Sequence, residues 1–110
     1  MSVRLTVTAA ADVTLTRLVE NFPVVRGEWK ARGATITAPG PTADQFTITD
    51  SRGSGVRVKF TAPQALRVYP EGLHAGNWRR YQFGRVEAVL PATWHKGQEA
   101  TLDYTIGHAE

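Results

Sequence analysis

Residues Phe46-Thr-Ile-Thr-Asp50-Ser-Arg-Gly-Ser-Gly55-Val-Arg-Val-Lys-Phe60 decide the fold class. Phe46 and Ile48 alternate with Thr47 and Thr49, and Val56, Val58 and Phe60 alternate with Arg57 and Lys59. A period of two places apolar side chains on one face of an extended chain and polar ones on the other, which is the pattern of a half-buried strand. Between the two runs, Asp50 to Gly55 supplies what a tight reversal needs: an aspartate to accept backbone N–H groups, and glycines that reach positive φ at no steric cost. Two alternating runs joined by such a loop predict a β-hairpin.

The same signals recur on both sides of the hairpin. Val3, Leu5 and Val7 alternate with Arg4, Thr6 and Thr8. Ala34-Thr-Ile-Thr-Ala38 is short and β-branched, and Pro39-Gly-Pro41 breaks it. Leu66-Arg-Val-Tyr69 stands between Pro63 and Pro70 and reads as a separate strand. Tyr81-Gln-Phe83, Val86-Glu-Ala-Val-Leu90 and Ala100-Thr-Leu-Asp-Tyr-Thr-Ile106 complete the set, with a soft tail expected after Ile106. Asp12 to Phe22 supports two readings. Val13-Thr-Leu-Thr16 alternates like a strand, whereas Leu15, Leu18, Val19 and Phe22 fall at helical spacing, with Pro23 to end the helix. The strand reading is preferred. Breakers every ~8–12 residues predict an all-β chain, a single immunoglobulin-like or jelly-roll-like β-sandwich spanning 1–110, of roughly seven to nine strands, with one short helix near 14–22 as the alternative there.

Composition narrows the function classes. The chain has 110 residues and no cysteine, so it builds one domain on apolar burial, without disulfides, thiolate nucleophiles or thiolate metal sites. No apolar run approaches the ~20 residues of a bilayer span, and Met1-Ser-Val-Arg-Leu-Thr-Val-Thr8 lacks the apolar core of a signal peptide. The net charge of +3 is unevenly placed. Residues 1–51 balance, residues 52–85 carry seven basic groups against Glu71, and residues 86–110 carry Lys96 against Glu87, Glu99, Asp103 and Glu110. The middle is therefore at +6 and the end at −3. A basic stretch and an acidic one suit electrostatic complementarity between copies.

Residue patterns for catalysis are sparse. His74, His95 and His108 have no metal-ligand spacing, and no metal or other cofactor is expected. No nucleophile elbow occurs, the ten acids are scattered, and Ser51 and Ser54 belong to the hairpin turn, so the chain reads as a non-enzyme. Arg52-Gly-Ser-Gly55 imitates a phosphate cradle, but a strand follows it where a P-loop requires a helix.

Asn77-Trp-Arg-Arg-Tyr-Gln-Phe83 is the most distinctive stretch. Aromatics interleaved with arginines are what a single-strand stacking platform uses, with bases on the rings and guanidinium groups on phosphates. The candidate basic-aromatic surface consists of Arg57, Lys59, Arg67, Trp78, Arg79, Arg80 and Tyr81. Strand alternation would send Trp78 and Arg80 to one face and Arg79 and Tyr81 to the other. Trp29, Trp78 and Trp94 flank or occupy loops, where exposed indoles bind sugars or anchor interfaces.

Val13-Thr-Leu-Thr-Arg-Leu-Val-Glu-Asn-Phe22 followed by Thr35-Ile-Thr37 resembles the opening of secreted bacterial β-sandwich modules of the spore coat protein U-like and pilin-like kind. Thr42-Ala-Asp-Gln-Phe-Thr-Ile-Thr-Asp-Ser-Arg-Gly-Ser-Gly55 looks like the next pair of strands and like the Asp-x-Arg-Gly turn of WxL-type cell-wall domains. Leu90-Pro-Ala, Gly97 and Leu102-Asp-Tyr-Thr-Ile106 look like their closing hairpin. The chain departs from these families in lacking a cysteine pair, a WxL tripeptide and a glycine after Phe22. The resemblance implies a non-catalytic sandwich that assembles, adheres or decorates on a cell surface, and a phage virion protein of similar architecture fits equally well. The expected partners are further copies of the chain or a particle or filament protein. Single-stranded nucleic acid and carbohydrate are the alternatives.

Overall fold

A computed structural model describes residues 1–28, 35–50, 52–69 and 81–109, with the backbone alone over 23–28 and 81–83. Among the described residues there are nine strands and no helix. In chain order these are β1 (Ser2–Thr8), β2 (Val13–Thr14), β3 (Val19–Glu28), β4 (Thr35–Thr37), β5 (Thr42–Thr49), β6 (Gly55–Tyr69), β7 (Tyr81–Val89), β8 (Thr93–Trp94) and β9 (Glu99–His108). All pairings are antiparallel. A seven-stranded sheet runs β1-β9-β6-β5-β4, with β7 joined to β6 and β3 to β7, and β2 and β8 form a separate two-stranded sheet. The larger sheet is not closed into a barrel.

The 46–60 hairpin forms as its sequence dictates. Phe46 pairs with Val58 and Ile48 with Val56, so the apolar members of each strand share a face. At the turn, Asp50 Oδ1 accepts the Arg52 N–H at 2.8 Å and the Ser54 N–H at 3.0 Å. Gly53 takes φ +83°, a conformation that L side chains rarely adopt. These amides point at their own aspartate, which settles Arg52-Gly-Ser-Gly55 as a turn.

Strand β6 departs from the sequence expectation. Instead of two strands separated at Pro63, one strand of 15 residues runs through it. Its first half, Val56–Phe60, pairs with β9, and its second half, Ala65–Tyr69, pairs with β7. Against β5 the register jumps from Gln45↔Lys59 to Ala43↔Gln64. Residues 61–63 therefore belong to no ladder, and a proline that cannot donate is tolerated there. Irregularities of this kind bend a strand, and the bend lets one strand serve two sets of neighbours. Tyr81–Phe83 and Val86–Leu90, read as two strands, likewise merge into β7.

The helix alternative at 14–22 is overturned. Val13–Thr14 pairs with β8, and Val19 begins a strand that continues through Pro23. Among the described residues strand β3 pairs only with β7, so Pro23 sits in an edge strand there, where its missing N–H is harmless. The chain also stays ordered beyond Ile106: β9 continues to His108, and the Ala109 amide donates to the Gly55 carbonyl at 3.1 Å.

The core is aromatic at its centre. Phe46, Phe60 and Leu102 are almost fully buried, with Val58, Leu66, Val86, Ala88 and Tyr104 around them. Phe22 of β3 meets Phe46, Phe60 and Tyr104 edge-on, with centroids 5.2, 6.2 and 5.1 Å apart. Since β3 shares no ladder with β5, β6 or β9, these contacts require the β3–β7 part to lie back across the core face of the others. Each such pair contributes ~0.5–1.5 kcal/mol beyond the area it buries.

Candidate interaction surfaces

Of the sequence-predicted surface, the structure brings only part together. Arg57 lies across from Thr47 on β5 and Gly107 on β9, and Lys59 across from Gln45 and Thr105. Both alternate with the buried Val58 and Phe60 and so point to the outer face of the sheet. Arg67 does not join them. It follows the bend in β6, flanks Glu87 of β7, and belongs to the outside of the β3–β7 part. Tyr81 pairs with Glu28 through the backbone. Trp78, Arg79 and Arg80 lie outside the described residues, as do Trp29 and His74.

Trp94 is corrected from an exposed loop indole to a buried one. It is 3% exposed, and its Nε1–H donates to the Pro91 carbonyl at 2.6 Å. It offers no face to a sugar. His95 and His108 are exposed. Among the described residues, no group of three or more His, Asp or Glu side chains converges on one point.

Sequence reasoning missed an ionic cluster on the outside of β7. Glu87 is 1% exposed, yet it alternates with the core residues Val86 and Ala88 and so faces away from the core. Arg85 Nε stands 3.2 Å from its Oε2, and Arg17 Nη1 is 3.4 Å from the same oxygen. Arg85 in turn lies over the Tyr69 ring, 4.3 Å from its centroid. The available signal was a single carboxylate inside the apolar run Val86–Leu90. A carboxylate clamped by guanidinium groups is a structural anion, and it fastens the segment before β3 to the sheet. The acids of the chain's end are answered within the molecule, by Arg4 and Arg17 from the balanced first part and by Arg85 from the basic middle. Acidic Glu87 meets Arg85 and Arg17, and acidic Asp103 takes Arg4 Nε at 2.8 Å. The hydrogen bond to Asp103 raises the Arg4 guanidinium's pKa, with the charge of the carboxylate adding to it.

A buried phenol provides a second tie. Tyr104 donates its O–H to Glu20 Oε2 at 3.2 Å, joining β9 to β3 across the core. Burial raises the Tyr104 pKa first, and the neighbouring Glu20 charge raises it further.

The outer face around Arg57 and Lys59 is rich in hydroxyls. Ser2, Thr105, Lys59 and Gln45 form one row across β1, β9, β6 and β5. A hollow of about 290 Å³ opens beside this row, lined by Ser2, Val3, Arg4, Thr61, Asp103, Tyr104 and Thr105. The row ends at β1, the last strand of the sheet on that side.

Three strands of the larger sheet leave one edge without a described neighbour: β1, β3 and β4. Strand β4 is three residues long and is closely followed by Pro39. Strand β3 carries Pro23 and a register shift between Val25 and Gly27. Short length, proline and bulges are the devices that stop edges from pairing with other chains. Strand β1 has none of these three: it is seven residues long, with an unbroken register against β9 from Ser2↔Thr105 to Thr8↔Glu99, and its one charged side chain, Arg4, is paired with Asp103.

Comparison of the chain with protein-family models, with curated proteins and with solved structures finds no match.

Proposed function

We propose that the protein is a non-enzymatic structural or interaction module, a single β-sandwich of immunoglobulin-like or jelly-roll-like type, which acts by self-association or by decorating a surface or virion-type assembly. The observation that carries this reading is the outer edge of β1, which pairs with no strand among the described residues. An open sheet edge presents a row of N–H and C=O groups that a further strand can satisfy, and strand addition is a recurring way in which β modules join larger assemblies. The placement of side chains agrees. Most of the described aromatic and aliphatic residues are committed to the core, with Val13, Leu15, Val56 and Val68 partly exposed, and the outer face of β1 and β9 carries hydroxyls and a few charges suited to contact with another protein.

The test is the mass of the native particle by light scattering, over a range of concentrations and at low and high salt. Species heavier than the 12.1 kDa chain, or co-sedimentation with an isolated particle, are expected. A strict monomer at high concentration that docks on nothing would overturn the reading.

Single-stranded nucleic-acid binding is the second reading, favoured by the side-by-side placement of Arg57 and Lys59 on one hydroxyl-rich face. It requires an affinity that falls steeply with salt, and failure to shift a labelled oligonucleotide at low salt would remove it.

A further inference from the structure

The geometry points to a particular occupant for the β1 edge: the β1 strand of a second copy, antiparallel, with the two-fold axis passing beside Leu5. The inference rests on the self-association reading and specifies its contact.

The backbone shows which groups are free. Met1 N donates to the Ile106 carbonyl and the Ile106 N–H donates to the Met1 carbonyl, so these two residues form a mutually bonded pair. Antiparallel ladders alternate bonded and non-bonded pairs. Val3, Leu5 and Val7 therefore direct their N–H and C=O groups at β9, while Ser2, Arg4, Thr6 and Thr8 direct theirs away from the sheet. Those four residues carry the donors and acceptors of the edge that no described strand pairs with, and their side chains lie on the outer face.

The sequence of the strand is close to self-complementary in side-chain class. Read from both ends of Ser2-Val-Arg-Leu-Thr-Val-Thr8, Ser2 meets Thr8, Val3 meets Val7, Arg4 meets Thr6, and Leu5 meets itself. In that register the four outward-facing residues bond one another across the axis. The half-buried Val3, Leu5 and Val7 would meet Val7, Leu5 and Val3 of the partner on the core side. No like charges lie directly opposite each other, and the two Arg4 residues are diagonal neighbours across the axis. Arg4 faces a threonine, and its own charge is already answered by Asp103 at 2.8 Å. A contact that maps a surface onto itself closes as a dimer, whereas an edge that met a different surface would propagate into a filament.

The register is tested by three substitutions at Thr6 and one control. Thr6→Pro removes an outward N–H and leaves the β1–β9 ladder intact, so the far-ultraviolet spectrum and melting temperature of the monomer should be kept. The dimer dissociation constant should rise by about tenfold or more. Thr6→Lys and Thr6→Glu leave the backbone alone and change only what faces the partner's Arg4. At low salt the lysine should weaken the dimer, and the glutamate should tighten it, by about threefold each. Thr37→Lys on β4, far from this edge, should change nothing. Sedimentation over a concentration series reads all four. A wild type that stays monomeric overturns the self-association reading and this inference with it. A wild-type dimer indifferent to Thr6→Pro overturns the β1 contact alone. Equal effects of lysine and glutamate overturn the two-fold register, and an open polymer in place of a dimer overturns the closed symmetry.

Discussion

The Phe22 ring stands edge-on to the Tyr104 ring, with 5.1 Å between centroids and 74° between planes, although their strands β3 and β9 share no ladder. The contact is purely side chain to side chain. It forms only because the β3–β7 part lies back across the core, and it is reinforced by the bond from Tyr104 to Glu20, one strand position away from a residue flanking Phe22. The Phe22 ring therefore adds a side-chain tie between the two parts of the sheet to the backbone ladder that joins β7 to β6.

Phe22→Ala should accordingly destabilise the protein by about 3 kcal/mol, the lower end for a large buried aromatic because Phe22 is only partly buried. Phe22→Leu should cost less than half as much, since it keeps most of the apolar contact. Urea unfolding of the two variants checks both.

Glu87→Ala should destabilise by about 3 kcal/mol. The loss comes from stranding Arg85, itself largely buried at 22% side-chain exposure, without its anion. Arg17 is half exposed and can turn to water, which keeps the cost from the upper end of the range. The Glu87→Ala, Arg85→Ala double variant should recover part of the loss, and chemical denaturation of the single and double variants reads the coupling.

The glycines of the hairpin separate two physical effects. At Gly53 a Cβ would meet nothing, so Gly53→Ala suffers only from its positive φ, about 1–2 kcal/mol. At Gly55 a Cβ would fall 1.8 Å from the Ile48 carbonyl oxygen. Strand β5 would have to move, and Gly55→Ala should cost more than about 3 kcal/mol. Melting curves of the two variants should differ clearly, with Gly55→Ala the worse.

The pH dependence has an alkaline and an acid limb. Folding raises the Tyr104 pKa above the ordinary value of 10.0, chiefly by burial, so the folded state prefers the neutral phenol. Its contribution is complete below that value and is lost as pH rises through the folded one, where the unfolded chain has already released its proton. Tyr104→Phe should flatten the melting temperature on the alkaline side. Asp50 behaves oppositely. Its carboxylate accepts the Arg52 amide, with the Ser54 amide and the Arg52 side chain assisting, and its pKa is lowered from 3.8. Its contribution is present above the ordinary value and fades as pH falls through the folded one, so Asp50→Asn should be less sensitive to acid than the wild type.

The parts of the fold legible in the sequence are those governed by neighbours along the chain. The 46–60 hairpin, β1, β4 and β9 were readable because alternation and turn chemistry are local. Pro63 misled because a proline normally ends a strand, and nothing nearby in sequence reports that residues 61–63 belong to no ladder. Leu15, Leu18, Val19 and Phe22 fit a helical stripe as well as a strand, and only pairing with β7 and β8 decides between them. The described basic residues of the candidate surface divide for the same reason: Arg57 and Lys59 precede the bend in β6, and Arg67 follows it. Residue type and spacing alone could not reveal that their faces diverge. The Glu87 cluster and the open β1 edge are likewise properties of neighbouring strands, invisible until strand order is known.

The sharing of β6 between two sets of partners bears on how the molecule comes apart. Its first half is held by β5 and β9, and its second half mainly by β7. Losing either half frees an end of the strand that the other half needs, so the two parts have no seam along which to open independently. Amides on β7 and on β9 should then exchange with solvent in one cooperative event, at the rate of global unfolding. Since most of these pairings join residues distant in sequence, that event should also be slow to reverse.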